Sequence, residues 1–387
     1  MAASLSRSRP VRTAALCLTL AALLAAAPAA AGRRGRAPTS RASLLVEAET
    51  GRVLRARNPR QRLIPASIVK MMLTLITLEH IRGGSVRLSD IVTVSRRSAR
   101  VGGHQVYLAQ GERFRLEDLM KAVVIGSAND ASHAVAEHVA GDSKTFVRLM
   151  NERARRLGMT DTRFVNVHGL PPGRGRTPNR MSARDAAILA REILKYPSMT
   201  RWSRTRIAPF RGGKFTLTNT NRLIGRFPGA DGLKTGSYRA AGYSVVATAK
   251  RRGLRLIAVI LSSKSHKSRF AEARRLLDWG FARYRWFDAS QAREFPRPHT
   301  VRIMKGRKKE VALRKKGSFR MLIRRGAAGK VTAMAKIPAV VHAPVKKGQP
   351  LGRIIYRLGG KKLGEIPLIA AESVERLGFF NTFIHVK

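Results

Sequence analysis

The feature that most constrains the fold is a run of apolar residues that follows Pro65. Residues 71–78 offer almost no polar face, so a helix here has to be buried on nearly every side. Pro65 suits the first turn of that helix, where its missing N–H group costs nothing. The sequence therefore predicts an interior helix, with Ser67 in its first turn and Lys70 three residues later.

Ser67 and Lys70 at the start of this helix are a pair that can carry chemistry. Their spacing puts both side chains over the same helix face. A serine hydroxyl is a poor nucleophile until a base takes its proton, and a lysine can be that base only if burial or nearby cations lower its pKa. Free N–H groups at a helix start can also stabilise an oxyanion. Alone the pair is a weak signal, because a capping serine and a solvated lysine give the same pattern.

The N-terminus has the pattern of a secretory signal. Three arginines precede an apolar stretch at residues 14–27, and small residues that suit signal peptidase follow. We expect a signal peptide at residues 1–31 and a basic linker at residues 32–42. An uncleaved anchor is the less favoured alternative, because the stretch is short for a membrane span. The mature protein is then exported, to the periplasm or the cell-wall space, and it has no cysteine, since Cys17 is the only one in the chain.

The charge of the chain is extreme. Lys and Arg number 76 against 23 Asp and Glu, which gives a net charge of +53. Such a balance is typical of proteins that bind nucleic acid, anionic membranes or acidic polymers. Export weakens the nucleic-acid interpretation, because an exported protein meets little nucleic acid. A hydrophobic content of 44% also argues for a packed core rather than a disordered chain.

Strand patterns flank a helical middle in the first part of the chain. A hairpin pattern surrounds Gly51, and two β-rich runs at residues 243–249 and 254–261 form a second hairpin. Helices are expected at residues 116–124, 134–140, 146–157, 183–194 and 271–284. This order predicts an α+β domain at residues 43–290, in which a helical subdomain packs against an antiparallel sheet.

From about Phe295 the composition changes. Short strand patterns are separated by Gly and Pro turns, and prolines mark the start of the segment. The pattern predicts a small all-β sandwich domain at residues 295–387.

Two further motifs follow the Ser67 pair in order. Ser127-Ala128-Asn129 lies between two predicted helices, and Lys234-Thr235-Gly236 precedes a predicted strand. Each motif alone is common, but the three in this order and spacing resemble the penicillin-binding serine peptidases and serine β-lactamases. Their contexts at residues 126–131 and 231–236, together with the stretch at residues 164–171, resemble the low-molecular-mass D-alanyl-D-alanine carboxypeptidases. This resemblance covers residues 43–380, including the β domain of that family.

The resemblance implies an α+β domain of the β-lactamase and transpeptidase type and an acyl-transfer reaction. In that reaction Ser67 attacks the carbonyl between two D-alanines of a peptidoglycan stem pentapeptide, and Lys70 takes its proton. Ser127 relays a proton towards the leaving amine, and Asn129 holds the substrate backbone. Water then hydrolyses the acyl-enzyme.

The resemblance also assigns roles near the Lys234 motif. Lys234 and Thr235 face the terminal carboxylate of the substrate, and Gly236 allows close approach of the backbone. The N–H groups of Ser67 and Ser237 form the oxyanion hole. Arg269 either adds a second cation for that carboxylate or is a solvated surface charge, as most arginines are.

Other functions stay open at this point. A β-lactamase of class A needs a glutamate that activates water, and none lies between Thr160 and Arg191, so we expect β-lactam antibiotics to acylate Ser67 and to leave slowly. The alternatives are an endopeptidase that cuts peptidoglycan cross-links and a basic, non-catalytic binding protein of the envelope.

The histidines predict no metal site. His133 and His138 are five residues apart and lack the H-E-x-x-H arrangement. His104 and His168 fall in predicted loops, where solvated side chains are the default. We therefore expect neither a metal nor a cofactor.

Two features depart from the family pattern. The loop at residues 171–180 is unusually basic, and residues 381–387 are too short for the amphipathic membrane helix of many family members. We therefore expect no membrane anchor of that kind. Basic runs at residues 307–309, 314–316 and 324–325 are one alternative means of holding the enzyme near anionic lipid or an acidic envelope polymer. Solvated strand faces explain these runs equally well.

Overall fold

A computed structural model describes residues 38–289 and 300–378 of the chain. The predicted signal peptide, the start of the predicted linker, the change of composition near Phe295 and the last residues from Phe379 on lie outside the described residues. The helices are α1 (Lys70–Arg82), α2 (Arg96–Ala99), α3 (Leu116–Lys121), α4 (Asn129–Ala140), α5 (Ser143–Arg156), α6 (Ala183–Ile193), α7 (Pro197–Ser203) and α8 (His266–Arg283).

The strands are spread over both parts of the chain. They are β1 (Ala42–Glu47), β2 (Val53–Arg57), β3 (Ile91–Thr93), β4 (Arg113–Arg115), β5 (Ile207–Phe210), β6 (Phe215–Thr218), β7 (Ala230–Tyr238), β8 (Gly242–Arg251), β9 (Leu254–Ser263), β10 (Tyr284–Asp288), β11 (Thr300–Met304), β12 (Glu310–Lys315), β13 (Arg320–Arg324), β14 (Val331–Lys336), β15 (Val340–His342), β16 (Pro350–Leu358) and β17 (Lys361–Ala370).

A five-stranded antiparallel sheet in the order β2-β1-β9-β8-β7 organises the first domain. Successive side chains of a strand point to opposite faces, and here both faces are covered. Val246 and Val259 pack into the core with the helical subdomain, whereas Val245 and Ile260 pack against α8 on the other side. Burial on both faces explains why these strands are nearly continuous apolar runs.

Helix α1 is the interior helix that the apolar run predicted. Its residues from Lys70 to Leu78 are all buried. A short 3-10 turn, Ala66–Val69, precedes it and carries Ser67. The predicted α+β domain with a helical subdomain is confirmed.

Two helices begin earlier than their periodicity indicated. α4 was expected from residue 134 but begins at Asn129, because the buried Asp130 carboxylate in its first turn accepts N–H groups from Val106 and Leu108 of a neighbouring loop. α8 was expected from residue 271 but begins at His266, where Ser265 and Ser268 form a reciprocal cap. Sequence periodicity detects the apolar face of a helix, whereas polar first turns depend on such local partners.

The C-terminal segment forms the predicted all-β domain. A six-stranded sheet in the order β14-β16-β17-β12-β11-β15 packs against the two-stranded sheet β10-β13. Side chains from both sheets, such as Phe287 and Ile354, share one apolar core. The strands β11, β15 and β17 were not predicted: β15 spans only three residues, and Gly364 and Pro367 interrupt the alternation of β17.

Strand β10 links the two domains. It follows α8 directly, yet it pairs with β13 of the C-terminal domain. Arg52 of the first domain donates to the Leu322 carbonyl at 2.9 Å, and Arg320 pairs with Glu49 at 2.5 Å. The domain limits at residues 290 and 295 stay predictions. Among the described residues, none of the helices combines the length and apolar character needed to span a bilayer.

Candidate active site

Ser67 and Lys70 meet at the junction of the 3-10 turn and α1. Lys70 Nζ lies 2.9 Å from Ser67 Oγ, and the lysine side chain is fully buried, with 0% exposure. Two further oxygens surround the amine: Asn129 Oδ1 at 2.6 Å and the His168 carbonyl at 2.7 Å. Ser67 itself is partly exposed. The arrangement puts a buried amine directly behind an accessible hydroxyl.

The surroundings of Lys70 disfavour its charged form. Burial lowers its pKa well below the ordinary 10.5, and the positive charge of Lys234 lowers it further, while Asp130 acts in the opposite sense. Desolvation is the larger cause, because the amine is fully buried. A neutral Lys70 has a lone pair that can accept the Ser67 proton, which is what general-base chemistry requires.

Ser127 and Asn129 lie where the helical subdomain borders the cleft. A π-helical turn, Ala122–Gly126, ends at Ser127, whose left-handed backbone (φ 65°, ψ 26°) turns its side chain towards the sheet. Ser127 Oγ accepts a hydrogen bond from Lys234 Nζ at 2.7 Å. The predicted connection between two helices thus carries this serine to the second lysine of the site.

The side chain of Asn129 is hydrogen-bonded to Lys70 and is not free in the cleft. Its Oδ1 accepts from Lys70, and its Nδ2 donates to the Gly102 carbonyl at 2.8 Å. The residue is buried, and both ends of its amide are engaged. The substrate contact that the family resemblance implied for Asn129 remains a prediction.

Lys234, Thr235, Gly236 and Ser237 lie on β7, which is an edge strand of the central sheet. Burial, with the charge of Arg269 as the second cause, lowers the Lys234 pKa to about 7. Thr235 Oγ1 donates to Thr220 Oγ1 at 2.8 Å, while Ser237 is exposed at the mouth of the cleft. The strand therefore presents a buried cation and a hydroxyl beside the two serines.

Gly236 permits the closest approach between the strand and the nucleophile turn. A Cβ atom at this position would lie 2.5 Å from the Pro65 carbonyl oxygen and 2.8 Å from the Ser67 nitrogen. Real Cβ atoms essentially never come this close to backbone, so only glycine lets β7 sit against the 3-10 turn. The contact brings the backbone around Ser67 next to that of Gly236 and Ser237.

Arg269 is not the solvated surface charge that its residue type favoured. It is 3% exposed, and its guanidinium lies 4.7 Å from the Phe270 ring centroid. Its Nη1 donates to the carbonyls of Gly236 at 3.4 Å and Ser244 at 3.2 Å. Burial lowers its pKa to about 10. An arginine in the first turn of α8 is thus folded inward against the edge strand.

Sequence reasoning missed the contribution of the loop histidines. His168 was expected to be solvated, but it is partly buried, and its carbonyl accepts from Lys70. Burial, followed by the charge of Lys70, lowers the His168 pKa to about 3. Gly169 (φ +90°) lets this loop pack on the Ala66 backbone. The signal was present in the family-like stretch around residue 169, which the sequence analysis used for recognition and not for the site.

His104 borders the cleft, and its carbonyl accepts the Asn129 N–H at 2.7 Å. Partial burial lowers the pKa of its imidazole, and the charges of Lys234 and Lys70 lower it further. His104 is thus an exposed loop residue, as expected, and its contribution to the site is the backbone carbonyl that holds the Asn129 N–H.

A cleft of about 530 Å³ opens above these side chains. Ser67, Ser127 and the 235–237 backbone line one end of the cleft, and β6 with the segment after it lines the other. Arg222, which was not predicted, also borders the cleft. The cleft combines a nucleophile, a buried base, a second lysine–serine pair and basic side chains, which suits acyl transfer on a substrate with a free carboxylate.

Known protein families match most of the chain. The family model of D-alanyl-D-alanine carboxypeptidase (peptidase S11) matches residues 29–265, and that of the penicillin-binding protein 5 C-terminal domain matches residues 295–376. The D-alanyl-D-alanine carboxypeptidase DacF of Bacillus subtilis is 35% identical over 372 residues, which is 93% of each protein.

Solved structures share this fold over most or part of the chain. Penicillin-binding protein 5 from Haemophilus influenzae has a TM-score of 0.68 and 30% identity, and the match covers 89% of this chain and 100% of that one. Penicillin-binding protein D2 from Listeria monocytogenes, in its ampicillin-bound form, has a TM-score of 0.58 and 27% identity, with 63% of this chain and 98% of that one covered. On the family match, the near full-length relative and the shared fold, the chain belongs to the serine D-alanyl-D-alanine carboxypeptidase family.

Proposed function

We propose that Ser67 is the nucleophile with which this protein removes the terminal D-alanine from peptidoglycan stem pentapeptides. The observation that carries the proposal is the contact between Ser67 Oγ and Lys70 Nζ, 2.9 Å apart, with the lysine fully buried. Among the bases near Ser67, Lys70 combines this distance with a pKa lowered well below 10.5.

In the acylation step, Lys70 Nζ takes the proton of Ser67 as Oγ attacks the carbonyl between the two D-alanines. The negative charge that develops on that carbonyl oxygen is stabilised by the N–H groups of Ser67 and Ser237. Each such donor is worth roughly 3 kcal/mol of transition-state stabilisation. The close contact of Gly236 with the Ser67 nitrogen supports this pairing of donors.

Ser127 and Lys234 serve the leaving group and the substrate terminus. Ser127 passes a proton to the departing D-alanine nitrogen, and Lys234, hydrogen-bonded to Ser127 Oγ, supplies positive charge there. Lys234, Thr235 and Arg269 favour a substrate that ends in a carboxylate. Asn129 positions Lys70 through the hydrogen bond at 2.6 Å and, by the family resemblance, holds the substrate backbone. Water then hydrolyses the ester on Ser67 and frees the shortened peptide.

The acyl-enzyme chemistry extends to β-lactam antibiotics. Penicillin-binding proteins act on peptidoglycan and bind these compounds, and the solved Listeria relative holds ampicillin. We propose that β-lactams acylate Ser67 and are released slowly, because the chain has no glutamate between Thr160 and Arg191 to activate water as class A β-lactamases do.

Product analysis tests the proposed activity. The mature protein is incubated with a stem pentapeptide and with a cross-linked muropeptide, and the products are identified by mass spectrometry. We expect loss of one D-alanine from the pentapeptide. Cleavage of the cross-link alone would make the protein an endopeptidase, and no product from either substrate would favour the non-catalytic binding protein.

Alanine at Gly236 is expected to lower kcat/KM about a hundredfold, the cost of losing one oxyanion donor. The added Cβ would meet the Pro65 carbonyl oxygen at 2.5 Å, so β7 has to move away from the Ser67 turn. Steady-state kinetics and a thermal melt measure the effect. Gly329→Ala is the matched control, because nothing lies within 4 Å of that position; equal activity of the two variants would argue against the close approach.

The site of action follows from the proposed substrate. We propose that residues 1–31 direct export, so that the mature enzyme meets peptidoglycan in the periplasm or the cell-wall space. The basic N-terminal pattern and the apolar stretch at residues 14–27 support the proposal. Edman sequencing of the mature protein from an envelope fraction tests it.

Basic side chains of the C-terminal domain support a second, peripheral contact. Lys308, Lys309, Lys315 and Lys316 are exposed, and each basic residue near an anionic membrane contributes roughly 1 kcal/mol. We expect co-sedimentation with anionic vesicles at low salt and release at high salt. A failure to bind at low salt would rule out the membrane, and the same assay with an acidic polymer tests the other partner.

A further inference from the structure

A second cavity, of about 660 Å³, lies at the junction of the two domains. We call it the junction pocket. It is formed by the β8–β9 turn, the C-terminal half of α8, β10 and Arg325, which begins a 3-10 turn after β13. Ser244 pairs with Gly236 of the active site, and Arg251 lies seven residues further along β8, about 23 Å away at strand spacing. The junction pocket is therefore separate from the catalytic cleft.

The lining of the junction pocket is strongly basic. In the part of the lining that the structure describes, four arginines, at positions 251, 252, 285 and 325, accompany a single carboxylate, that of Asp278. Asp278 pairs with Arg251 at 3.6 Å. Among the described residues, Arg252, Arg285 and Arg325 have no carboxylate within salt-bridge distance, so the positive charge of the pocket is not compensated from within.

Arg251 is held rigidly at the pocket wall. Its guanidinium lies between two aromatic rings, 4.3 Å from the Phe227 centroid and 4.5 Å from the Phe281 centroid. Its Nε donates to the Pro228 carbonyl at 2.9 Å. Arg325 is anchored in a similar way, through Nε to the Phe281 carbonyl at 3.0 Å. Arginines fixed by their Nε atoms keep their terminal N–H groups available in a set orientation, which lowers the entropy lost on binding a ligand.

The pocket wall also contains donors that the described residues leave unsatisfied. Arg285 Nε and Trp286 Nε1 are buried and have no acceptor among these residues. Buried donors are nearly always hydrogen-bonded in proteins. Two donors without acceptors beside one basic cavity indicate that the site lacks acceptor oxygens. A bound anion would supply such oxygens.

We propose that the junction pocket binds a phosphate group, with Arg252, Arg285 and Arg325 as its ligands. A phosphate carries close to two negative charges and three acceptor oxygens, and it matches several guanidinium groups at once, whereas a single carboxylate matches one. Tyr284 and Trp286 give the pocket an apolar wall, which suits a phosphate ester with an attached organic group. The group can come from a soluble phosphate ester or from a lipid headgroup.

The proposal is tested by isothermal titration of the full mature chain with inorganic phosphate at constant ionic strength. Arg252→Gln/Arg325→Gln is the pocket variant, since both side chains are exposed and neither belongs to the catalytic site. Arg302→Gln/Arg314→Gln is the matched control, because it removes the same charge from exposed strand positions of the C-terminal domain. Succinate is the dicarboxylate comparison, and thermal melts show that each variant is folded.

We expect the pocket variant to bind phosphate about tenfold more weakly than the wild type, and the control to change less than about twofold. Carboxypeptidase activity should be unchanged in both variants. Binding to phosphatidylglycerol vesicles distinguishes a lipid headgroup from a soluble phosphate ester. If the pocket variant loses more vesicle binding than the control variant does, the ligand is a lipid phosphate. Equal losses in pocket and control variants, succinate binding as tight as phosphate binding, or no binding of phosphate or vesicles by the wild type would each overturn the proposal.

Discussion

Replacing Ser67 by alanine is expected to lower kcat/KM on a stem pentapeptide by at least about 10⁴-fold. The hydroxyl is the proposed nucleophile, and it lies 2.9 Å from the buried amine of Lys70. Mass spectrometry of the released D-alanine gives the rate. The same variant should also lose the mass increase that a bound penicillin adds to the wild-type protein.

Ser237→Ala is the matched control for this experiment. Ser237 is exposed on the same edge of the cleft, and its proposed contribution is its backbone N–H, which alanine retains. We expect this variant to keep activity within about threefold of the wild type, because a surface hydroxyl is usually worth little. Activity surviving in Ser67→Ala, or penicillin labelling that persists in it, would remove Ser67 from the mechanism.

Replacing Lys70 by arginine is expected to lower the acylation rate at least about 10³-fold, which is in the range of losing a general base. Arginine stays positively charged and cannot deprotonate at any accessible pH, so it cannot take the Ser67 proton. Stopped-flow measurement of β-lactam acylation isolates this step. Lys195→Arg is the control, since Lys195 is an exposed lysine at the end of α6 with an ion pair to Glu192.

The pH dependence of the wild type tests the same role. Because burial lowers the Lys70 pKa well below 10.5, the acylation rate should rise with pH through this lowered value and be high at pH values where an ordinary lysine is still protonated. The lowered pKa also makes stability depend on pH. Between the lowered pKa and 10.5, Lys70 is protonated in the unfolded chain but not in the folded chain. The free energy of unfolding therefore rises with pH across this window. An acylation rate that increases only near pH 10.5 would contradict a neutral Lys70.

The family and the chemistry could be predicted from short patterns. An apolar run with Pro65 at its start is enough to predict a buried helix, and the spacing of Ser67 and Lys70 puts both on one face of it. The motifs at Ser127 and Lys234 strengthen the prediction of the family, because the order of the three motifs along the chain is typical of it. The strands β8 and β9 could be predicted because both of their faces are buried, which leaves a continuous apolar run.

Burial of individual polar residues could not be predicted in this way. Arginines are usually solvated surface residues, yet the fold turns the Arg269 side chain inward, where it donates to the Gly236 carbonyl. His168 contributes a backbone carbonyl to Lys70, and a carbonyl has no signature in the sequence. The helix start at Asn129 depends on N–H groups from residues 106 and 108, which donate to Asp130 across a different loop.

The sequence by itself thus determined the kind of protein: its elements, the order of its motifs and the residues that can do acyl transfer. The tertiary structure decided how those residues are arranged. It encloses Lys70 with Asn129 and the His168 carbonyl, and it brings Lys234 within 2.7 Å of Ser127 although 107 positions separate them. Local patterns record spacing and hydrophobicity, which are properties of neighbouring residues. The pKa of a buried amine depends on what packs around it from distant parts of the chain, and only the folded molecule brings those parts together.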